Sequence, residues 1–278
     1  MDTTANPQDC AEPIELIAID LDGTLLTDER RITPRCATAV AAARKRGIHI
    51  VLASARPPRS VRPCYDELQL DTPQINYNGA LIQDPRTGRV LEHRPLDAKL
   101  TAAIIDFARS IDPHLAVSIE ILDRWYTDRL DPELMTETAQ TMEPDYIGPL
   151  EPILNQPITK LMLLAPADRL RPVHDAVVQR FAGQIALAVS DEHLIQIMEQ
   201  SVDKASALTR IADDYAVPAS RVMAIGDAPN DIPMLRWAHL GIAVANAWPE
   251  VLAAADATVA SNNDDGVAEA IERFARVR

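Results

Sequence analysis

Basic residues are in short supply in this chain: 27 Lys and Arg stand against 41 Asp and Glu, a formal net charge of −14 over 278 residues. Phosphate backbones need basic surface, so nucleic acid is not an expected partner. A small anionic substrate stays open, because a local cationic pocket can exist on an acidic protein. Cysteine is also scarce. Cys10, Cys36 and Cys64 show no CxxC spacing and none adjoins a histidine, which argues against a disulfide framework or a zinc site and leaves reduced thiols. No apolar run approaches the roughly 20 residues that cross a bilayer. Met1 to Pro13 is polar and acidic, without the basic-then-apolar order of a secretion signal. A frayed tail, no membrane partner and a cytoplasmic location are the expectations. Glycine is rare, 9 residues against 21 prolines, so a glycine beside a chemical group carries information.

What is present is an ordinary globular composition, 47% hydrophobic and 24% charged, in a chain long enough for one large domain or two modest ones. Strands are expected at Ile14 to Ile19, Ile48 to Ala53 and Gln74 to Tyr77, with helices at Pro34 to Arg46 (Thr33 as N-cap) and Ser60 to Leu68 between them. The same alternation returns late: helix Lys204 to Tyr215, strand Val222 to Ile225, helix Asp231 to Trp237 and strand Gly241 to Val244. Alternation of this kind implies parallel pairing through crossover helices. Between them the pattern changes. A hairpin at Asp84 to Arg89 is followed by helices near Asp97 to Ser110, Pro132 to Met142 and Pro166 to Phe181. Strands are expected there at Leu115 to Ile121, Trp125 to Thr127, Lys160 to Leu164, Ile185 to Val189 and Leu194 to Met198. The expected fold is α/β, a doubly wound, Rossmann-like parallel sheet core formed by residues 1–84 and 199–278, with an α+β domain inserted at 85–198.

Four segments carry chemistry. Ile17-Ala18-Ile19-Asp20-Leu21-Asp22-Gly23-Thr24-Leu25 is a short buried strand that stops at two carboxylates one residue apart. Strand periodicity would point Asp20 and Asp22 to opposite faces, so they converge on one ligand only if the strand ends there, which Gly23 permits. One such acid can attack an electrophile while the other moves a proton, or the pair can be a turn that ends a strand. Gly226-Asp227-Ala228-Pro229-Asn230-Asp231 again follows a buried strand. Asp227 with Asp20 would supply hard oxygen ligands suited to Mg²⁺, or the segment is an acidic helix start. Ser54-Ala55-Arg56 follows the second strand and offers a hydroxyl and backbone N–H groups to phosphate oxygens, or it is a plain turn. Lys204 opens a helix, where it is either a solvated charge or a fixed cation near developing charge. Asn78-Gly79 is a weaker candidate that also reads as a turn.

In this order, DxDGT, the Ser54 strand end, Lys204 and GDxxND resemble the four motifs of the haloacid dehalogenase-like hydrolase superfamily. The α+β insert after Asn78-Gly79-Ala80 resembles its Cof-like subgroup (type IIB, C2-capped), as do Gly241 to Ala247 and Asp264 to Ala268. The core resemblance spans nearly all of 14–84 and 200–272. Ala55 and Ala205 depart from it, standing where the family usually has glycine.

The resemblance implies an Mg²⁺-dependent phosphatase acting on a small phosphorylated metabolite. It makes Asp20 the nucleophile, forming an aspartyl-phosphate, and Asp22 the acid and base. The metal would be held by Asp20, the Asp22 carbonyl and Asp227, with Asp231 supporting. Ser54, Lys204 and Asn230, with Arg56 and Asn78 nearby, would bind the phosphoryl group. Cap candidates for specificity are His93, His114, Arg124, Trp125, Arg129 and His193. A phosphohexomutase-like phosphotransferase or a non-enzymatic regulator are the alternatives. Substrate and oligomeric state are not legible.

Overall fold

The computed structural model describes residues 13–134 and 142–275. Cys10, the expected tail up to residue 12 and residues 135–141 of the helix expected at Pro132 to Met142 lie outside the described residues; what is described of that helix is a single 3₁₀ turn, Pro132–Leu134. Along the chain the strands are β1 (Leu16–Ile19), β2 (His49–Leu52), β3 (Gln74–Asn76), β4 (Leu81–Asp84), β5 (Arg89–His93), β6 (Ala116–Ile121) and β7 (Arg124–Thr127). They continue with β8 (Tyr146–Ile147), β9 (Lys160–Leu164), β10 (Ile185–Asp191), β11 (Leu194–Glu199), β12 (Val222–Gly226), β13 (Leu240–Val244) and β14 (Ala257–Val259). The chain divides into two compact units.

The first unit comprises Met1–Ala53, Cys64–Pro73 and Leu208–Arg278. Its sheet has the order β14-β13-β12-β1-β2, and every pairing in it is parallel. All residues of β1 and β12 are buried, as expected of central strands covered on both faces. The helix Pro34–Lys45 starts as its sequence dictates: Thr33 Oγ1 accepts the Cys36 N–H at 3.1 Å and Pro34 opens the first turn. It buries Cys36, Ala39, Val40 and Ala43, one stripe at helical spacing, and packs on the last helix, Gly266–Phe274. Arg35 joins the two through Glu272 at 2.7 Å. From β1 the chain steps outward to β2 on one side, whereas β12, β13 and β14 step outward on the other. The order therefore reverses between β1 and β12, and the carboxyl ends of those two strands are where a doubly wound sheet opens a binding crevice.

The second unit comprises Ser54–Pro63 and Gln74–Ala207. Its main sheet, β10-β11-β9-β6-β7-β8, is antiparallel except for the short β7–β8 pairing. Period-two alternation sorts its residues. Val117, Ile119, Leu161, Leu163, Ile195 and Ile197 form one core with Ile104, Ile105 and Ala108 of helix Ala98–Ile111 and Val173 and Val177 of helix Ala167–Arg180. The alternate positions include Glu120 and Lys160, both buried and paired at 2.9 Å.

The third expected strand departs from the parallel pattern read in the sequence. β3 lies in a separate antiparallel sheet, β3-β4-β5. The four residues between β3 and β4 are too few for a crossover, so only an antiparallel return is available. β8, β14 and the helices Pro249–Ala254 and Gly266–Phe274 were not anticipated as elements.

Replacing Thr33 by Ala removes the cap of the first helix. Stability should fall by about 1 kcal/mol, read as a lower urea midpoint with unchanged slope.

Candidate active site

In the first unit β1 stops at Ile19, which pairs with Ile225 of β12. The Asp20 N–H still donates to the Ile225 carbonyl at 3.0 Å, and then the chain coils: the N–H groups of Thr24, Leu25 and Leu26 all converge on the Leu21 carbonyl at 3.3, 3.1 and 2.9 Å. Gly23 makes this turn with φ of 76°, and a Cβ there would stand 2.5 Å from Asp227 Oδ2. Only glycine meets both demands. Thr24 Oγ1 donates to Asp227 Oδ1 at 2.7 Å in a buried setting. On the facing loop, Asp231 Oδ2 accepts the N–H groups of Asp227 and Ala228, both at 3.0 Å. Asp231 thereby folds its own loop back on itself.

The outcome is a cluster. Carboxylate oxygens of Asp20, Asp227 and Asp231 lie within 4.8 Å of one another, and all three residues are buried. Asp22, by contrast, is exposed and its carboxylate is not part of the cluster. The strand ends where the sequence reading expected, but only the Asp20 carboxylate joins the cluster. Asn230 is half-buried in the 3₁₀ turn Pro229–Asp231. Three acids this close repel one another unless a cation or a proton offsets them, and the donors are all hard oxygens. The set fits a divalent cation of the Mg²⁺ type. Thr24 is a site residue that the sequence reading passed over. Its only signal was a hydroxyl two positions after Asp22, in a turn that needed glycine.

A second group assembles in the second unit. Ser54 is fully buried; its N–H donates to the Ile75 carbonyl at 2.9 Å, and its carbonyl accepts the Asn78 N–H at 3.0 Å. Its Oγ accepts the Arg56 N–H at 3.1 Å. The Arg56 carbonyl accepts from Asn76 Nδ2 at 3.2 Å. Tyr77, Asn78 and Gly79 are all left-handed, with φ of 50°, 57° and 107°. At Gly79 a Cβ would meet the Asp203 carbonyl oxygen at 2.4 Å, so that glycine lets the turn lie against the backbone just before Lys204. Lys204 itself is fully buried at the start of helix Lys204–Asp214. One turn thus gathers Ser54, Asn78 and Lys204. Tyr77 anchors it: its phenol donates to Glu120 Oε2 at 2.6 Å. Burial, together with the Glu120 charge, pushes the phenol well above the usual tyrosine range, which keeps it a donor.

Neither Ala55 nor Ala205 adopts a positive φ, so neither carries strain where glycine was expected. Among the specificity candidates, Trp125 packs in an apolar cluster with Leu134, Met162 and Leu194. His93 Nε2 hydrogen-bonds Thr159 Oγ1 at 2.9 Å, and burial holds its imidazole below the usual range. Arg129 donates to the His114 carbonyl. Arg124 opens β7, and His193 lies in the turn between β10 and β11.

A parallel sheet with carboxylates gathered at its switch point is the frame of an α/β enzyme that works on a ligand at the carboxyl edge. Residues 17–271 match the family model described as haloacid dehalogenase-like hydrolase. A 5-amino-6-(5-phospho-D-ribitylamino)uracil phosphatase of Bacillus subtilis (strain 168) is 32% identical over 271 residues, covering 93% of this chain and 97% of that protein. A pyridoxal phosphate phosphatase of Escherichia coli (strain K12) is 27% identical over 266 residues, covering 92% and 97%. The crystal structure of a haloacid dehalogenase-like hydrolase from Bacteroides thetaiotaomicron superposes with a TM-score of 0.85 at 28% identity, covering 94% of this chain and 99% of the other. The chain belongs to the haloacid dehalogenase-like hydrolases, in their Cof-like branch, and is an enzyme of the phosphate-hydrolysing kind. Among the described residues no helix is long and apolar enough to cross a membrane.

Gly23→Ala would drive a methyl group into the Asp227 carboxylate. Mg²⁺ affinity, measured by isothermal titration calorimetry, should fall by about 10- to 100-fold, the range typical when the groups around a metal ligand are disturbed. Unchanged binding would show that these acids are not the metal site.

Proposed function

We propose that the protein is an Mg²⁺-dependent phosphatase that hydrolyses a small phosphate monoester through an aspartyl-phosphate on Asp20. The observation that carries this reading is the buried trio Asp20, Asp227 and Asp231 at the switch point, in a chain whose family membership rests on residues 17–271. Asp20 and Asp227, with the Asp22 carbonyl, would hold Mg²⁺, which when bound neutralises charge on the phosphoryl oxygens. A carboxylate oxygen of Asp20 attacks phosphorus, and the bond to the leaving oxygen breaks as Asp22 protonates it. Asp22 then takes a proton from water, which attacks the phosphorus of the acyl phosphate, releases inorganic phosphate and restores Asp20. Asp231 keeps the Asp227 loop in register through its two N–H bonds. By the family resemblance the phosphoryl-binding roles would fall to Ser54, Lys204 and Asn230, with Arg56 and Asn78.

The segment 85–198 would act as the cap, between core pieces 1–84 and 199–278. The substrate class is a phosphorylated metabolite of modest size, a sugar phosphate or a phosphorylated heterocycle. The two relatives named above are phosphatases of esters of the latter kind.

Asp20→Asn should lower the rate of p-nitrophenyl phosphate hydrolysis by at least about 10³-fold, the scale seen when a nucleophile is removed, with the melting temperature little changed. Chelation by EDTA should abolish activity and Mg²⁺ should restore it. Wild-type rates in either case would overturn the mechanism.

A further inference from the structure

The loop that carries Asp22 is held from outside by two asparagines that no step of the proposed reaction uses. Asn246 follows β13, and Asn262 opens a 3₁₀ turn just after β14. Asn246 Nδ2 donates to the Gly23 carbonyl at 2.7 Å. Its own Oδ1 accepts the backbone N–H of Asn262 at 2.9 Å. Asn262 Nδ2 spends both of its hydrogens on the same loop, one on the Leu26 carbonyl at 3.0 Å and one on Asp28 Oδ1 at 3.1 Å. Asn262 is 3% exposed and its bond to the Leu26 carbonyl is buried, where water does not compete for it. The two side chains therefore grip the turn at Gly23 and at Leu26, its two ends. Asp22 immediately precedes the gripped segment, next to Gly23 and bridged to Leu26 in parallel fashion.

The arrangement has a chemical consequence. Asp20 is held by the sheet through the Ile225 carbonyl, and Asp227 by Thr24 and its own loop. Asp22 is exposed, and its carboxylate has no place in the buried cluster. Its position relative to the sheet is set by the turn. We infer that Asn246 and Asn262 are positioning residues for the acid and base step: they fix the Gly23–Leu26 turn so that Asp22 meets the leaving-group oxygen. This rests on the reading of Asp22 as acid and base. Asp20 and Asp231 are held from outside this turn, so without the asparagines the larger loss would fall on the step that needs a proton. A purely structural role would instead slow all substrates alike.

The test compares two phosphate esters of unlike leaving groups. The p-nitrophenolate of p-nitrophenyl phosphate departs without needing a proton, whereas phenolate from phenyl phosphate benefits from one. Asp22→Ala, Asn262→Ala and Asn246→Ala are assayed on both with saturating Mg²⁺, and melting temperatures are recorded. Asn246 is exposed, so its variant keeps the question answerable where Asn262→Ala fails to fold. If the inference holds, Asp22→Ala loses on the order of 10²-fold in kcat/KM on phenyl phosphate, the scale of general acid catalysis, and far less on p-nitrophenyl phosphate. Each asparagine variant shows the same bias at about tenfold with Mg²⁺ saturating. If Asp22→Ala is biased and the asparagine variants lose equally on both esters, the inference is overturned and the role of Asp22 stands. If Asp22→Ala itself loses equally on both, the acid and base role fails, and the inference falls with it.

Discussion

Keeping three carboxylates buried within 4.8 Å of each other is the constraint on which the rest of this structure depends. Left alone, such a cluster would take up a proton or push apart. The fold holds it with backbone and hydroxyl donors instead. Asp231 is stabilised by two N–H groups from its own loop, Asp227 by the Thr24 hydroxyl, and Asp20 is fixed by the parallel ladder that ends beneath it. None of these donors carries charge. The donor set is all hard oxygen, the kind a divalent cation of the Mg²⁺ type takes up.

The same constraint explains where flexible chemistry is tolerated. β1 and β12 are buried along their whole lengths, so their ends are defined to within a residue. In the second unit the Tyr77–Gly79 turn holds three successive left-handed residues, a conformation that costs about 1 kcal/mol or more for each non-glycine. The Tyr77 phenol bonds buried Glu120, which pairs with Lys160, and this chain of contacts ties the turn to the sheet. Removing one partner of such a pair leaves a buried charge uncompensated, so the turn and the sheet stabilise or fail together.

Much of this was legible in the sequence, because the signals were local. Thr33-Pro34 announced a helix start and the structure uses both residues. The apolar runs ending at Asp20 and Asp227 announced buried strands with acids at their ends. What was not legible depended on pairing at a distance. Gln74 to Tyr77 looks like any short strand, and its departure from the parallel sheet follows from the brevity of the link to β4 rather than from its own residues. Thr24, Asn246 and Asn262 are ordinary polar residues in isolation. Their meaning lies in partners 203, 223 and 236 positions away, which no period or composition reveals.

Asp20 and Asp22 have identical side chains and stand one residue apart, yet the backbone gives them opposite surroundings. Asp20 is the first residue past a buried strand, tied to the ladder and close to other carboxylates. Asp22 stands two residues further on, just before the Gly23–Leu26 turn, and is exposed to solvent. Lengthening β1 by two residues would restore the alternation and send the two acids to opposite faces of the sheet. Ending it at Ile19, with a glycine four positions on, leaves one acid buried in the cluster and the other at the surface, the division the proposed reaction calls for.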